Sequence, residues 1–290
     1  MNKLNICKTT REIAAKSLYS TLKNILSKNK PISELYLRDA WLSEMKKYKE
    51  IFPDGWYIPP PHGIGVLFGT EEDLSRINFT SLRPKEFWPR NDIFLNLNNG
   101  IALLYAGPVH RESGIIGDFE MTLYFGKNKN IINQLKTNLD IINKIFENAK
   151  IGTRLSEIAS KADKLLKRND LINTIYSISD PTNSNIGHTI PFSYEDMKDK
   201  EKKILLYAKD NWKRFYTMLS KKRKFINKIE QLEIKPGMAI TIEPRSKIKN
   251  NPSSPLISFH AIALFYKNGD KELLTEFEKI FKLVGMDYML

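Results

Sequence analysis

Carboxylate and imidazole side chains at three separated points of the sequence are the residues whose types could do chemistry together. Asp118 lies in a β-rich segment, His188 follows a glycine in a loop-rich segment, and Glu243 ends a segment typical of a strand. Carboxylates and imidazoles bind hard-to-borderline divalent ions, and alternating side chains on neighbouring strands point into a common cleft. Taken singly, each residue has an ordinary interpretation, such as a hairpin aspartate or a loop histidine, so the surrounding pattern must decide.

Three segments around these residues resemble, in the same order, the pita-bread family of methionine aminopeptidase, prolidase and creatinase. They are 117–126 (GDFEMTLYFG), 186–191 (IGHTIP) and 235–244 (KPGMAITIEP). They resemble, respectively, a return strand with a metal aspartate, a loop with a metal histidine and a strand ending in a metal glutamate. The resemblance covers nearly the whole chain. It implies an α+β pita-bread fold, in which a curved antiparallel sheet is flanked by helices and has two pseudo-symmetric halves.

Two positions depart from the family's pattern, and both serve the second of its two metal ions. The outgoing hairpin strand carries no aspartate after Asp92; Asn98 is a neutral candidate for that position, with the register left open. Counting back from Gly269 places His260, in an apolar run, where the family has its last metal glutamate. A histidine can bind one ion through one nitrogen but cannot bridge two ions as a carboxylate does.

With these departures, the resemblance implies a mononuclear site whose ligands are Asp118, His188, Glu243 and His260. Two imidazoles with carboxylates suit one divalent transition metal: Fe, Mn, Co or Zn. The clamping of attacking and leaving oxygens between two ions would be lost. Polarising a carbonyl, activating water or binding dioxygen on iron would remain. For His260 the alternative is an ordinary core histidine.

Three further residues are candidates for a role in the site. His62, in the segment PPHG, resembles a substrate-side histidine of the family, and a solvent-facing loop histidine is the alternative. Glu195, seven residues beyond His188, is a candidate general acid or base, unless it caps or solvates the lysine-rich helix that follows. Glu120 shares the strand face of Asp118 and could supplement the site, but an edge-strand carboxylate is the preferred interpretation.

The chain of 290 residues is strongly basic, with a formal net charge of +13, and contains one cysteine, Cys7. Such a charge can indicate nucleic-acid binding, yet basic residues cluster only over 198–228 and no basic motif with interleaved aromatic residues occurs. A charge run is more often a solvated face, so specific nucleic-acid binding is not expected. The lone thiol and the lack of a signal peptide or an apolar span predict a cytoplasmic protein.

Hydrophobic periodicity and turn residues predict one domain, 1–290, in which two halves each run helix, helix, loop, strands. Predicted helices are 10–27, 32–48, 131–149, 155–166, a lysine-rich helical insertion at about 194–230, and 272–283. Predicted strands are 64–68, 93–97 continuing through 101–105, 121–125, 239–243 and 256–266, with a loop over 177–193.

The expected function is that of a metal-dependent, hydrolase-like enzyme acting on a small amide-, amino- or guanidino-bearing substrate. The expected partner is a small molecule or a short peptide, without membrane attachment, and a homodimer is left open. The alternatives are a non-haem iron oxidative enzyme on the same scaffold and a non-catalytic pita-bread module that binds protein or RNA. Retention of Asp118, His188 and Glu243 together argues against the non-catalytic module.

Overall fold

The computed structural model describes residues 2–28, 30–52, 54–174 and 180–290. Two helices open the chain, α1 (Lys3–Leu26) and α2 (Glu34–Met45), and they pack against each other. The side chains of Asn2 and Ser33 cap them by accepting hydrogen bonds from backbone N–H groups in the first turn, which have no partner inside the helix.

Three strands follow: β1 (Ile64–Thr70), β2 (Gly100–Ala106) and β3 (Phe119–Tyr124). They form an antiparallel meander, and all residues of β2 and β3 are buried. Gly107, directly after β2, is needed for close packing, because a Cβ there would lie 2.7 Å from Oδ1 of Asp118 and 2.7 Å from the Trp56 ring.

The second half of the chain repeats this order of helices before strands. Its elements are α3 (Lys129–Asn148), α4 (Leu155–Arg168), β4 (Leu171–Asn173), α5 (Asp199–Leu206), α6 (Trp212–Lys222), β5 (Ala239–Ile242), β6 (Arg245–Ile248), β7 (Ile257–Phe265), β8 (Lys271–Leu274) and α7 (Glu278–Val284). The lysine-rich segment therefore forms α5 and α6, whose buried residues pack with Phe52, Ile190 and Ile262 in a second hydrophobic cluster.

The described strands form one sheet in the order β1-β2-β3-β7-β6-β4, with β5 and β8 also paired to β7. Every pairing between described strands is antiparallel. Strand β7 joins the two halves, because it pairs with β3 of the first half and with three strands of the second. The prediction of a curved antiparallel sheet flanked by helices is confirmed, and β7 brings both halves to one face.

Three sequence predictions of secondary structure are wrong. Residues 93–97 are not a strand but lead into a turn, in which the Gly100 N–H donates to the Asn96 carbonyl at 3.0 Å. The predicted helix over 272–283 begins only at Glu278, because β8 turns back on β7 across Gly269, a glycine with a φ of +92°. The short strands β4 and β6 were not predicted.

Part of one predicted element, the loop over 177–193, falls on residues 177–179, which lie outside the described residues. The remainder, 180–193, contains neither helix nor strand, as predicted. Within the described ranges, no helix is both long and apolar enough to cross a membrane. The organisation as a single domain stays a prediction.

Candidate functional site

A cavity of about 330 Å³ lies where β2, β3, β6 and β7 meet the loop that contains His188. The four predicted metal ligands and Glu120 all line it: Asp118, Glu120, His188, Glu243 and His260. Each of these residues is at most 5% exposed. The structure thus brings the predicted metal-ligand residues to one buried pocket.

Strand register places these side chains on one face of the sheet. Glu120 in β3 lies opposite Tyr105 in β2 and opposite His260 in β7, and directly opposed residues of antiparallel strands share a face. Asp118, two residues before Glu120, points the same way because side chains alternate along a strand. The preferred interpretation of Glu120 as an edge-strand carboxylate is wrong, because β3 lies between β2 and β7.

The loop that carries His188 is fixed to β5 through Thr241. The His188 N–H donates to Thr241 Oγ1 at 2.8 Å, and the Thr241 N–H donates to the His188 carbonyl at 2.8 Å. Gly187, with a φ of +152°, makes this approach feasible, because a Cβ there would lie 2.2 Å from the Thr241 carbonyl oxygen. The glycine–histidine pair of the sequence therefore serves to bring an imidazole against the sheet.

Asp118 divides its two carboxylate oxygens between different partners. Oδ1 accepts hydrogen bonds from the Trp56 indole N–H at 2.6 Å and from the Tyr105 hydroxyl at 3.1 Å. Oδ2 faces Nε2 of His188 at 3.3 Å. Burial alone would raise the pKa of Asp118, but His188, His260 and the Trp56 hydrogen bond outweigh burial and lower it. Asp118 is therefore held as a carboxylate.

His188 is oriented by a hydrogen bond to the backbone. Its Nδ1 lies 3.0 Å from the carbonyl oxygen of Thr189, and a carbonyl can only accept, so Nδ1 carries a proton. In the neutral imidazole, Nε2 then has a lone pair aimed at Oδ2 of Asp118, which is also an acceptor. Two acceptors in this position require a cation between them, either a proton or a metal ion.

The remaining groups form a second cluster around Arg245 at the start of β6. Arg245 Nη2 lies 2.9 Å from His260 Nε2 and 3.9 Å from Glu243 Oε2, and its Nε lies 3.5 Å from Glu120 Oε1. His260 Nε2 is also 3.1 Å from Glu243 Oε2 and 3.3 Å from Glu120 Oε1. Two carboxylates, an imidazole and a guanidinium therefore share this half of the pocket.

The pKa values of Glu120 and Arg245 in the second cluster are shifted by the opposite charges around them. Burial would raise the pKa of Glu120, but the charges of His260 and Arg245 lower it to about 2. Burial would lower the pKa of Arg245, but Glu120 and Glu243 raise it well above its ordinary value. Both groups are therefore charged at neutral pH and stabilise each other.

Arginine and tyrosine side chains close the outer part of the cavity. The Arg223 guanidinium lies over the rings of Trp56 and Phe225, with 4.9 and 4.6 Å to the centroids, and burial lowers its pKa despite the nearby carboxylates. The Arg83 guanidinium lies 4.5 Å from the centroid of the Tyr57 ring. These guanidinium and aromatic groups can contact both the anionic and the apolar parts of a ligand.

The structure does not bring two of the predicted catalytic residues, His62 and Glu195, to the cavity lining. His62 is 43% exposed and its Nδ1 lies 2.5 Å from Oδ1 of Asp54. Glu195 is 41% exposed and pairs with Lys222 at 3.1 Å. Contacts at the surface account for both side chains, and a catalytic role for either stays a prediction without support from this geometry.

Sequence reasoning missed three polar residues of the pocket, Tyr105, Trp56 and Arg245. It was also wrong about Asn98, which is exposed in the turn before β2, whereas the β2 side chain that reaches Asp118 is that of Tyr105. Arg245 is two residues beyond Glu243, at the start of β6, and this short separation was the available signal.

The pocket contains donor groups of the types that bind divalent metal ions. As the side chains stand, no three His, Cys, Asp or Glu groups within the described part of the chain are arranged to hold one. The chemistry at Asp118 and His188 nevertheless suits one ion, since a lone pair and a carboxylate oxygen face each other there. A phenol and a guanidinium, those of Tyr105 and Arg245, lie beside carboxylates of the pocket.

The chain was compared with known protein families and with curated proteins by sequence. The sequence profile of metallopeptidase family M24 matches residues 45–266, which is more than half of the chain. No curated protein matches the chain by sequence.

Similar solved structures include an X-Pro aminopeptidase from Thermotoga maritima, with a TM-score of 0.60 and 11% identity over 94% of this chain and 60% of that chain. A prolidase from Pyrococcus furiosus has a TM-score of 0.60 and 16% identity, covering 94% and 63%. Aminopeptidase P from E. coli has a TM-score of 0.60 and 14% identity, covering 98% and 58%. The likeness at these identities concerns the fold, and the chain spans less than two thirds of each of these proteins.

Proposed function

The chain belongs to metallopeptidase family M24, and from this premise we propose that it is a hydrolase of short peptides or small amides with one divalent metal ion at Asp118 and His188. The observation that best supports the proposal is the distance of 3.3 Å between Asp118 Oδ2 and His188 Nε2. The Nδ1 proton of His188 is committed to the Thr189 carbonyl. Histidines that bind metal ions commonly have such a partner on their other ring nitrogen, because it fixes the tautomer.

Glu243 is the third proposed ligand, and His260 is the predicted ligand that the geometry supports least. His260 Nε2 already lies 2.9 Å from Arg245 Nη2, which is a donor. Coordination by His260 would require that contact to break. A bound ion would supply Lewis-acid chemistry, which polarises an amide carbonyl or lowers the pKa of a water molecule.

The chain's own residues prepare the pocket for that chemistry. The Trp56 and Tyr105 hydrogen bonds occupy Oδ1 of Asp118, so that only Oδ2 is directed towards His188. Burial of these groups excludes bulk water, which strengthens the electrostatic interactions inside the cavity. On the rim, Arg83 and Tyr57 can contact the anionic end and the apolar part of a peptide.

A short peptide as the substrate is supported by the family and by the names of the similar structures. Those structures are named as a prolidase and as aminopeptidases. The cavity of about 330 Å³ is of a size that takes a small molecule or a few residues of peptide.

The test measures metal content and hydrolysis in the same preparations. Purified protein is saturated with Mn²⁺, Co²⁺, Zn²⁺ or Fe²⁺, the bound metal is counted by elemental analysis, and a panel of dipeptides and tripeptides is assayed. We expect about one ion per chain, and loss of both the ion and the hydrolysis in His188→Ala. His110→Ala is the matched control, because it removes a histidine that does not line the cavity and contacts Ser113 instead. Metal-free protein under saturating conditions, or hydrolysis that His188→Ala leaves unchanged, would refute the proposal.

A second candidate is a non-catalytic module that binds a peptide without cleaving it. The observation that favours it is the position of Arg245, which already balances charge beside Glu120 and Glu243 without a metal ion. Isothermal titration with the same peptides distinguishes the two functions. Binding without turnover, equal in the presence and absence of EDTA, supports the module, whereas metal-dependent turnover supports the hydrolase.

A further inference from the structure

Arg245 projects into a part of the pocket whose other groups are those of a cation site. Glu120 is fully buried and Glu243 is 5% exposed. Within the described residues, neither oxygen of Glu120 accepts a hydrogen bond of normal geometry. Two buried carboxylates beside an imidazole are costly without a positive charge among them.

We propose that Arg245 is a built-in cation that takes the place of a metal ion in the half of the pocket formed by Glu120, Glu243 and His260. Its guanidinium lies within 4 Å of all three groups. The positive charge that the carboxylates require is therefore supplied by a residue of the chain. This role of Arg245 does not depend on whether the Asp118–His188 half binds an ion.

The backbone of Arg245 is fixed by strands on both sides, which makes the position of its side chain reproducible. Its N–H donates to Asn173 Oδ1 at 2.9 Å, and its carbonyl accepts from the Thr174 N–H at 2.9 Å. On the other side Arg245 lies opposite Ser258 in β7, two residues from His260. With 18% of its side chain exposed, the guanidinium is largely enclosed. Arg245 is therefore held beside the carboxylates by the sheet itself.

The proposal predicts that removing the guanidinium creates a metal site. Arg245→Met retains much of the side-chain volume and leaves Glu120, Glu243 and His260 without their cation. We expect this variant to bind one more Mn²⁺ or Zn²⁺ ion per chain than the unaltered protein does. We also expect added metal to raise its unfolding midpoint by several degrees more. Arg245→Lys keeps the positive charge and is the matched control, with metal content and metal response like those of the unaltered protein.

Equal metal content and an equal metal-induced shift in Arg245→Met and in the unaltered protein would overturn the proposal. If Arg245→Met folds only when Mn²⁺ or Zn²⁺ is added, that rescue supports it.

If Arg245→Met fails to fold in every condition, the double variant Glu120→Gln with Arg245→Met decides the question. We expect the double variant to fold, with a higher midpoint than the single variant and no additional ion, because one uncompensated carboxylate has been removed. A double variant that also fails to fold would overturn the proposed pairing, as would one that folds and gains the ion.

The result for Arg245 can be distinguished from the result of the test of the proposed function. His188→Ala tests the ion at Asp118, whereas the gain in Arg245→Met is counted relative to the same protein with arginine. The gain is therefore expected in a His188→Ala background as well.

Discussion

Arg11 in helix α1 ties the helix to the backbone of the two strands that carry the site, and replacing it with methionine should be strongly destabilising. The side chain of Arg11 is fully buried and donates to the carbonyl of Asp118 and, at 2.7 Å, to that of His260. It also donates to the Thr275 carbonyl at 3.2 Å and pairs with Glu276 at 2.5 Å. Arg11 is thus a positioning residue that joins β3, β7 and the segment before α7.

The expected loss follows from the groups left behind. Methionine fills similar space but leaves three carbonyls without their donor and Glu276 without its cation. Removing one partner of a buried ion pair costs about 3–5 kcal/mol of unfolding free energy. The carbonyls that lose a buried donor add to the destabilisation, and we include their cost in the same range. Glu276 is 21% exposed and thus partly solvated, so we expect Arg11→Met to lower the free energy of unfolding by about 3 kcal/mol.

Urea unfolding monitored by tryptophan fluorescence at pH 7 measures this loss. Lys8→Met is the matched control, because Lys8 on the same helix pairs with Glu272 at 2.5 Å but both side chains are more than a third exposed. Exposed pairs contribute about 0–1 kcal/mol. If Arg11→Met and Lys8→Met cost the same amount, Arg11 does not have the positioning role described here.

Three further predictions concern the pocket. The pKa of Glu120, lowered from 4.5 to about 2 in the folded chain, contributes about 3 kcal/mol of stability that is present above pH 4.5 and lost as the pH falls towards 2. Urea titrations at pH 7 and pH 3 should show this dependence in the unaltered protein and a reduced one in Glu120→Gln. Trp56→Phe removes the N–H bonded to Asp118 and should cost about 1.5–3 kcal/mol in the same assay, and a loss below 0.5 kcal/mol would contradict that role. Metal titrations should show a larger affinity loss for His188→Ala than for His260→Ala, and the reverse order would indicate that His260 is the stronger ligand.

The sequence predicted the fold and the buried acidic and imidazole groups because those features lie in short motifs. Asp118, His188 and Glu243 each sit at a strand end or glycine turn whose local pattern is recognisable, and β7 is a long apolar run. The strand at 271–274 was not predicted, because four residues, of which three are partly exposed and one is buried, carry too little periodicity to separate a strand from a helix.

Tyr105 and Arg245 could not be identified without the strand register. Tyr105 belongs to an apolar run in which an aromatic residue is an ordinary core residue, and its hydroxyl acquires a role only through its contact with Asp118. Arg245 follows a proline and begins a strand too short to predict. Cross-strand neighbours decide what both side chains do, and a one-residue shift of register would reverse the face of each.

A guanidinium and a divalent ion exclude each other in the half of the pocket around His260. His260 Nε2 lies only 2.9 Å from Arg245 Nη2, and charges of +2 and +1 about 4 Å apart repel by about 8 kcal/mol at an effective dielectric constant of 20. Arg245 already offsets one of the two negative charges of Glu120 and Glu243, so an ion beside His260 would gain less from these carboxylates than it would without the guanidinium. Asp118 Oδ2 instead lies 3.3 Å from His188 Nε2, and we therefore propose the single ion on that side of the pocket.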